Sequence, residues 1–530
     1  MSRRRSLLLL TLIIIIGIGL RTYQLTARSL WFDEAFSWRL IQFSWPEMIA
    51  RDAQDVHPPL YYILLKSWAV VFGTSLLALR LFSVLAAAGS IALTYVFVLA
   101  AWSVSSQKDV ASRARAVALT AALFIALSGW QIAFAWEARM YTLGVLFTLL
   151  SSWLLLVASR QKKQRLGWWL LYGLAAAAMV HTHYYALFSL GAQGIFAIGL
   201  LIAHTRGRIG EIIQSLYAWY ALCGAALTGI LFAPWLPTFL RQNAQVQNQY
   251  WIPPLNRWSI PDTLYRMVLP TPNTPIHDGI GIAVTLLPIV LTALVLVWLI
   301  WGHRLDLVKK TFKAGGGALD ASVLVVTMAV VPFILSLLLS LRGQSLYQDR
   351  YFVLAHPFIL IAIAVIFFRF RSLILRRVFI SLFALLLLGG YVRYMVQLDI
   401  PGHPGAHAAV QYAYTFRTAQ EPVYSSSSFI YFAAAHYAQE EFQNISIPRL
   451  YAQTGELSHF SGGPILTRQD SIGPELFTNP DTQSFWLIET TGFGASELKV
   501  PDTFKRVDHK SYPELYGYQG DVIANRYQKK

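Results

Sequence analysis

Cysteine is all but missing. Cys223 stands alone inside an apolar run, so no intrachain disulfide can form and no cysteine-based metal site is credible. Charge is scarce too. Only 13% of the 530 residues are Asp, Glu, Lys or Arg, against roughly 25% in soluble domains. With 55% hydrophobic residues and a mean hydropathy of +0.48, a soluble globular chain is excluded. There is no Gly-rich phosphate loop, no HExxH, no cluster with metal-ligand spacing, no internal repeat and no low-complexity tract. The triplet at 315–317 reads as a bend, not a nucleotide cradle. Acids are outnumbered, 27 against 43 basic residues, for a net charge of +16. A soluble protein so basic would point to nucleic acid. Here the basic residues sit in short loops between apolar segments, where they set topology, and no nucleic-acid partner is expected.

What is present is a series of long apolar runs, which specify helices and not a barrel. About eleven are long enough to span: 6–24, 76–104, 116–136, 140–159, 168–183, 184–204, 217–240, 280–301, 322–341, 351–370 and 373–396. The first follows Arg3, Arg4 and Arg5 without a small-x-small cleavage site, so it reads as an uncleaved membrane helix. With the amino terminus in the cytoplasm, every inside loop is basic: Lys108 to Arg115, Arg160 to Arg165, Arg206 and Arg208, Arg304 to Lys313, and Arg369 to Arg377. This orientation puts Asp33, Glu34, the 241–279 loop and the carboxyl terminus outside a plasma (cell inner) membrane.

Between the first two spans, 45–74 reads as short helices lying in the interface, with Ser44 as cap and Pro46 in a first turn. From 398 the texture turns polar. Helices are expected at 408–416 and 429–438, and strands at 422–425, 484–488 and 521–524. The expected architecture is an all-α polytopic membrane module, 1–397, with a small α/β extracytoplasmic domain, 398–530.

Polar residues recur at the expected outer ends of the spans. They are Asp33-Glu34, His57-Pro58-Pro59-Leu60-Tyr61-Tyr62, Trp136-Glu137-Ala138-Arg139-Met140-Tyr141, Tyr347-Gln348-Asp349-Arg350-Tyr351, and His181 with His183. Each has a plain explanation alone. Arg139 and Arg350 can snorkel, Glu137 can clamp an arginine, His181 and His183 can bond at the interface, and Lys66 and Arg80 read as anchors. Together they offer a carboxylate base, guanidinium forks for a departing phosphate, and aromatic faces for sugar and isoprenoid. The implied reaction is displacement at a sugar carbon with a lipid phosphate leaving. Outside the cell there is no nucleotide pool, so a membrane-borne donor makes physical sense. A transporter or flippase of polyprenyl-linked sugars is the alternative; the scarcity of mid-membrane charges and the lack of a two-fold repeat rank it below the enzyme. About eleven spans are far more than a passive anchor needs.

On these motifs, over roughly 1–370, the chain resembles the GT-C glycosyltransferases, a superfamily including protein O-mannosyltransferases and the lipid A aminoarabinose transferase. The resemblance implies an inverting hexosyl- or pentosyltransferase of the GT-C fold. Asp33 would be the base, and Glu34 would hold the acceptor or organise the site. Arg139, Arg350, His57 and Tyr351 would meet the donor phosphate, and Glu137, Tyr141, Tyr61 and His183 would line the substrate. The donor would be a polyprenyl-phosphate-linked sugar, and the acceptor protein, lipid or polysaccharide. No cofactor is expected, and a divalent metal is not excluded. The family usually follows its Arg-Tyr pair with Leu-Pro; here Arg350-Tyr351 is followed by Phe352-Val353.

Overall fold

The computed structural model describes residues 2–103, 108–161, 163–248, 252–272, 317–370, 372–419, 421–442, 446–452, 457–496 and 498–530. Among these, eight helices are long and apolar enough to cross a membrane. Two more expected spans are shorter helices, Leu166–Thr182 and His356–Phe367, and the segment expected at 280–301 lies outside the described residues. The chain is a multi-pass membrane protein. It divides into two compact units: Met1–Tyr23 with Ser83–Trp136 and Met140–Val392, and Gln24–Phe82 with Glu137–Arg139 and Arg393–Lys530.

The first unit is built of apolar helices. Arg3–Thr22 starts at Ser2, whose hydroxyl accepts the Arg5 N–H at 3.3 Å, and leaves Leu8 and Ile15 exposed, as lipid-facing side chains must be. Polar groups turn inward and pair. Gln193 donates to Ser151 (2.8 Å) and Ser152 (3.1 Å) and accepts from Tyr172 (3.2 Å), the interhelical pairing that hydrocarbon favours. Leu166–Thr182 and Leu216–Phe232 cross at Gly173 and Gly224. A Cβ on Gly173 would strike the Gly224 carbonyl, and the Thr228 hydroxyl donates to the Gly173 carbonyl at 3.0 Å. Only a residue without a side chain permits this approach.

Two expected spans are interrupted. The one over 116–136 ends at Leu127, and Ser128 caps a separate helix, Gly129–Ala135, by accepting from the Gln131 N–H. The one over 351–370 starts late. Asp349–Leu354 is a 3-10 turn and the helix begins at His356 because Pro357 fits only a first turn. The loop expected over 241–279 carries helices at Leu236–Asn248 and Ser259–Val268.

The second unit holds three short helices from the first loop, Phe32–Leu40, Trp45–Asp52 and Leu60–Phe72. Ser44 occupies the expected cap position and Pro46 the first turn, but the serine side chain makes no capping bond. Leu60–Phe72 ends at Gly73 with φ +82°, leaving Val70, Val71 and Phe72 exposed at its tip. The rest is a six-stranded sheet, β1 (Val423–Ser425), β2 (Arg449–Tyr451), β3 (Ser471–Ile472), β4 (Ser484–Thr490), β5 (Phe504–Pro513) and β6 (Asp521–Lys529), in the order β3-β2-β1-β4-β6-β5. The first four in that order are parallel, and β6 and β5 complete it antiparallel. Alternation along β4 sorts its faces. Phe485 and Leu487 join Tyr424, Leu476 and Phe504, while the Trp486 ring meets Tyr412 of helix Gly405–Phe416.

Candidate active site

Helix Phe32–Leu40 presents Asp33 and Glu34 in its first turn, where the helix dipole favours carboxylates. Its far end is held by Lys66, whose Nζ donates to the carbonyls of Ile41 and Phe43, both at 2.6 Å. The two acids meet different fates because neighbouring helical residues point about 100° apart.

Glu34 is 1% exposed and faces Arg80, itself 2% exposed. Arg80 Nε and a terminal nitrogen grip both carboxylate oxygens at 2.8 and 2.6 Å, and the Ala138 N–H adds a third bond at 2.9 Å. The rest of the Arg80 fork donates to the carbonyls of Leu25, Arg28 and Ser29. This is a clamp joining the first loop to the 137–139 turn. Arg28 lies beside it, and burial, reinforced by Arg80, pushes its guanidinium down to about 9.

Asp33 keeps a quarter of its side chain exposed, with one carboxylate oxygen 3.9 Å from Arg139 Nε. Arg139 is buried and gathers a cluster. It donates to the Asp33 carbonyl (3.3 Å), Ser37 (3.4 Å), Tyr62 (3.1 Å) and His57 Nε2 (3.0 Å). Because a guanidinium only donates, His57 Nε2 must accept. The imidazole proton then sits on Nδ1 and is donated to Asp55 at 2.7 Å. Asp52 is buried close by; burial and the neighbouring Asp55 raise its carboxyl well above the usual range, against the pull of Arg139. Positive and negative groups are thus packed in a poorly screened setting where each charge counts for more than in water.

The remaining expected site residues fall as follows. Glu137 is half-buried in the second unit, near enough to Tyr516 to disfavour its phenolate. Tyr61 is fully buried, with its ring against Tyr62 and Phe82, so Tyr62 is the tyrosine that reaches Arg139. In the first unit, the His183 ring lies 5.8 Å from that of Tyr141 and 5.1 Å from that of Tyr351, with the Tyr185 ring tilted against Tyr351 at 4.0 Å. Arg350 is half-buried beside them in the 3-10 turn; its N–H donates to Asp349 at 2.7 Å, and Asp349 is held by Arg266. Among the described residues, no three His, Cys, Asp or Glu side chains are grouped to hold a metal ion.

No family model matches the chain, and a search of curated proteins finds no match. Solved structures do match. ArnT from Cupriavidus metallidurans in the apo state superposes with a TM-score of 0.57 at 13% identity, covering 99% of this chain and 98% of that one. ArnT bound to undecaprenyl phosphate gives 0.54 at 13% identity, with 97% of each chain covered. The chain has the GT-C fold. Within that fold, Arg80 and Lys66, which read as plain anchors, hold Glu34 and the end of its helix, Tyr62 was expected only as part of its motif, and Asp55 was not expected at all. Arg80 had a signal, as an ionisable residue near the start of a 27-residue apolar helix. Asp55 had one too, two residues before a histidine whose Nδ1 it orients.

Proposed function

We propose that the chain is an integral-membrane glycosyltransferase that moves a sugar from a polyprenyl-phosphate donor to an acceptor at the extracytoplasmic face of the cell's inner membrane. The observation that carries the proposal is Asp33. Of the carboxylates gathered around Arg139 and Arg80, it combines partial exposure with a guanidinium close by, while Glu34 is consumed by its clamp. The GT-C fold supports the reading, as does the undecaprenyl phosphate that an ArnT structure holds.

In the proposed step an acceptor hydroxyl or amine attacks the anomeric carbon of the donor. The bond from that carbon to the phosphate oxygen breaks, its electron pair leaving with the lipid phosphate. The acceptor's proton passes to the Asp33 carboxylate, so a single displacement inverts the sugar. Arg139 supplies positive charge where negative charge develops on the leaving group, and Glu34 with Arg80 fixes the helix that carries the base. Arg350 and Tyr351 are proposed as further donor contacts. His57, aimed by Asp55, is proposed to set the Arg139 fork.

Two measurements test this. Glycolipids and glycoproteins from cells with and without the chain should differ by one sugar modification. Purified Asp33→Asn should bind undecaprenyl phosphate as the native chain does yet transfer no sugar. Normal turnover in that variant removes Asp33 as base, and identical glycan profiles remove the transferase reading.

A further inference from the structure

Open α/β sheets hold their ligands outside the carboxyl ends of the strands, where the order of strands reverses. In this sheet that point lies between β1 and β4. The chain leaves β1 through helix Ser428–Glu441 to reach β2, and returns from β3 through Glu475–Thr478 to β4, on the opposite face. The two loops there are tied together. The Ser426 N–H donates to the Ile488 carbonyl at 3.1 Å, the Ser427 hydroxyl donates to the Gly494 carbonyl at 2.6 Å, and the rings of Phe429 and Phe493 lie 5.0 Å apart.

A side chain from the first loop sits against this point. The Phe32 ring packs 4.6 Å from Phe429 and 6.2 Å from Phe432. Its tip lies 3.5 Å from where a Cβ on Gly462 would project. Phe32 immediately precedes Asp33. The same helix is held again at its other end. Arg39 grips both oxygens of Asp470, at 2.9 and 3.1 Å, and Asp470 also accepts from Tyr431 (2.8 Å) and from Thr467. Along the way the Trp38 ring meets His436 edge-on at 5.1 Å, and the Leu30 N–H donates to the Tyr437 hydroxyl at 2.6 Å. Helix Ser428–Glu441, which leaves the ligand edge of the sheet, thus lies along the helix that carries the candidate base.

We propose that the C-terminal sheet and helix Ser428–Glu441 act as a clamp that aims Asp33, with Phe32 gripped at the ligand edge and Arg39 gripped by Asp470 at the amino end of β3 as the positioning residues. The proposal rests on the reading of Asp33 as general base. A catalytic carboxylate must be held within about 0.5 Å of its productive place by groups that are themselves fixed. A nine-residue helix cannot do this alone, and two anchors, one apolar and one ionic, fix both its position and its rotation.

The test uses the full-length chain in lipid nanodiscs. Cys223→Ser removes the sole thiol and Asp33→Cys places a reporter at the base. The rate of maleimide labelling is then measured with Phe32 or Arg39 altered. Phe32→Ala and Arg39→Gln should each speed labelling about fivefold, as the helix end opens locally. Phe32→Leu and Arg39→Lys, which keep the bulk and the charge, should stay within about twofold. With Asp33 restored, Phe32→Ala and Arg39→Gln should lower kcat for sugar transfer and leave the donor KM unchanged. Unchanged labelling in whichever of these two variants folds overturns the proposal. Failure of both to fold overturns it equally, since the grip would then be a condition of folding and not of aim. If labelling responds but no donor is ever turned over, the clamp stands and the transferase reading falls.

Discussion

Two buried arginines flank helix Phe32–Leu40, and their surroundings differ in kind. Around Arg80 every bond is closed. Its fork meets both oxygens of Glu34 and three backbone carbonyls, with pair members 1% and 2% exposed. Around Arg139 the geometry is looser. Its carboxylate neighbour stands off at 3.9 Å and keeps a quarter of its surface, and it also donates to the Asp33 carbonyl, a histidine, a tyrosine and a serine. A saturated ion pair stabilises a structure and has nothing left to offer a substrate. A carboxylate that keeps part of its surface beside a guanidinium is placed to take a proton from a substrate. On the proposed reading, neighbouring acids on one helix divide the work of scaffold and chemistry.

The contrast is tested most severely at Asp33. Asp33→Asn keeps the shape and removes the base, and turnover should fall by up to about 10⁴-fold with folding unchanged. Donor consumption by the purified variant, alongside its thermal melt, separates the two effects. Arg80→Ala should do the opposite. It strands Glu34 as a buried charge, at a cost of about 3–5 kcal/mol, so the variant should melt far lower or fail to accumulate. If it folded normally but lost turnover, Arg80 would belong to the chemistry and the division would collapse. Arg139→Lys is expected to be milder. A lysine keeps the charge but cannot reach the Asp33 carbonyl, Ser37, Tyr62 and His57 together, so kcat should fall by about 2 kcal/mol of barrier, or roughly thirtyfold.

How much of this was legible in the sequence depends on the range of the interactions. Apolar spans announce themselves because lipid demands about 20 consecutive hydrophobic residues. Asp33-Glu34 and the Glu137–Arg139 turn stand out because charge is costly so near hydrocarbon. The resemblance implied Asp33 as base, but that Glu34 is locked to Arg80 while Asp33 keeps part of its surface was not legible. It depends on helix phase, and on closing Arg80 to Glu34 across 46 residues and Ala138 to Glu34 across 104. Arg80 read as an ordinary anchor because nothing local distinguishes a clamp from an anchor. In the sheet, β1, β4 and β6 were expected from their short, apolar, β-forming segments. By contrast β5, Phe504–Pro513, is mostly exposed and charged, and is specified by its pairing with β6 and not by its own pattern. Strands of two or three residues, such as β2 and β3, are too short to carry a period.

A third buried acid sharpens the comparison further. Glu514 is also buried, but among the described residues its bonds come from the backbone N–H groups of Ala406 and Leu515 and not from a guanidinium, and burial raises its carboxyl to about 6. Raised above its ordinary 4.5, it binds a proton in the folded chain that the unfolded chain has already released. Stability should therefore fall as pH rises from about 4.5 through about 6, then level off. At 1.36 kcal/mol per pKa unit the loss is about 2 kcal/mol. Glu514→Gln should abolish that slope, read as the pH dependence of unfolding between pH 4.5 and 7.5. An unchanged slope in the variant would place the titration elsewhere. It would also mean that backbone N–H groups hold a buried carboxylate as well as Arg80 holds Glu34, and the distinction between saturated and merely buried acids would lose its energetic basis.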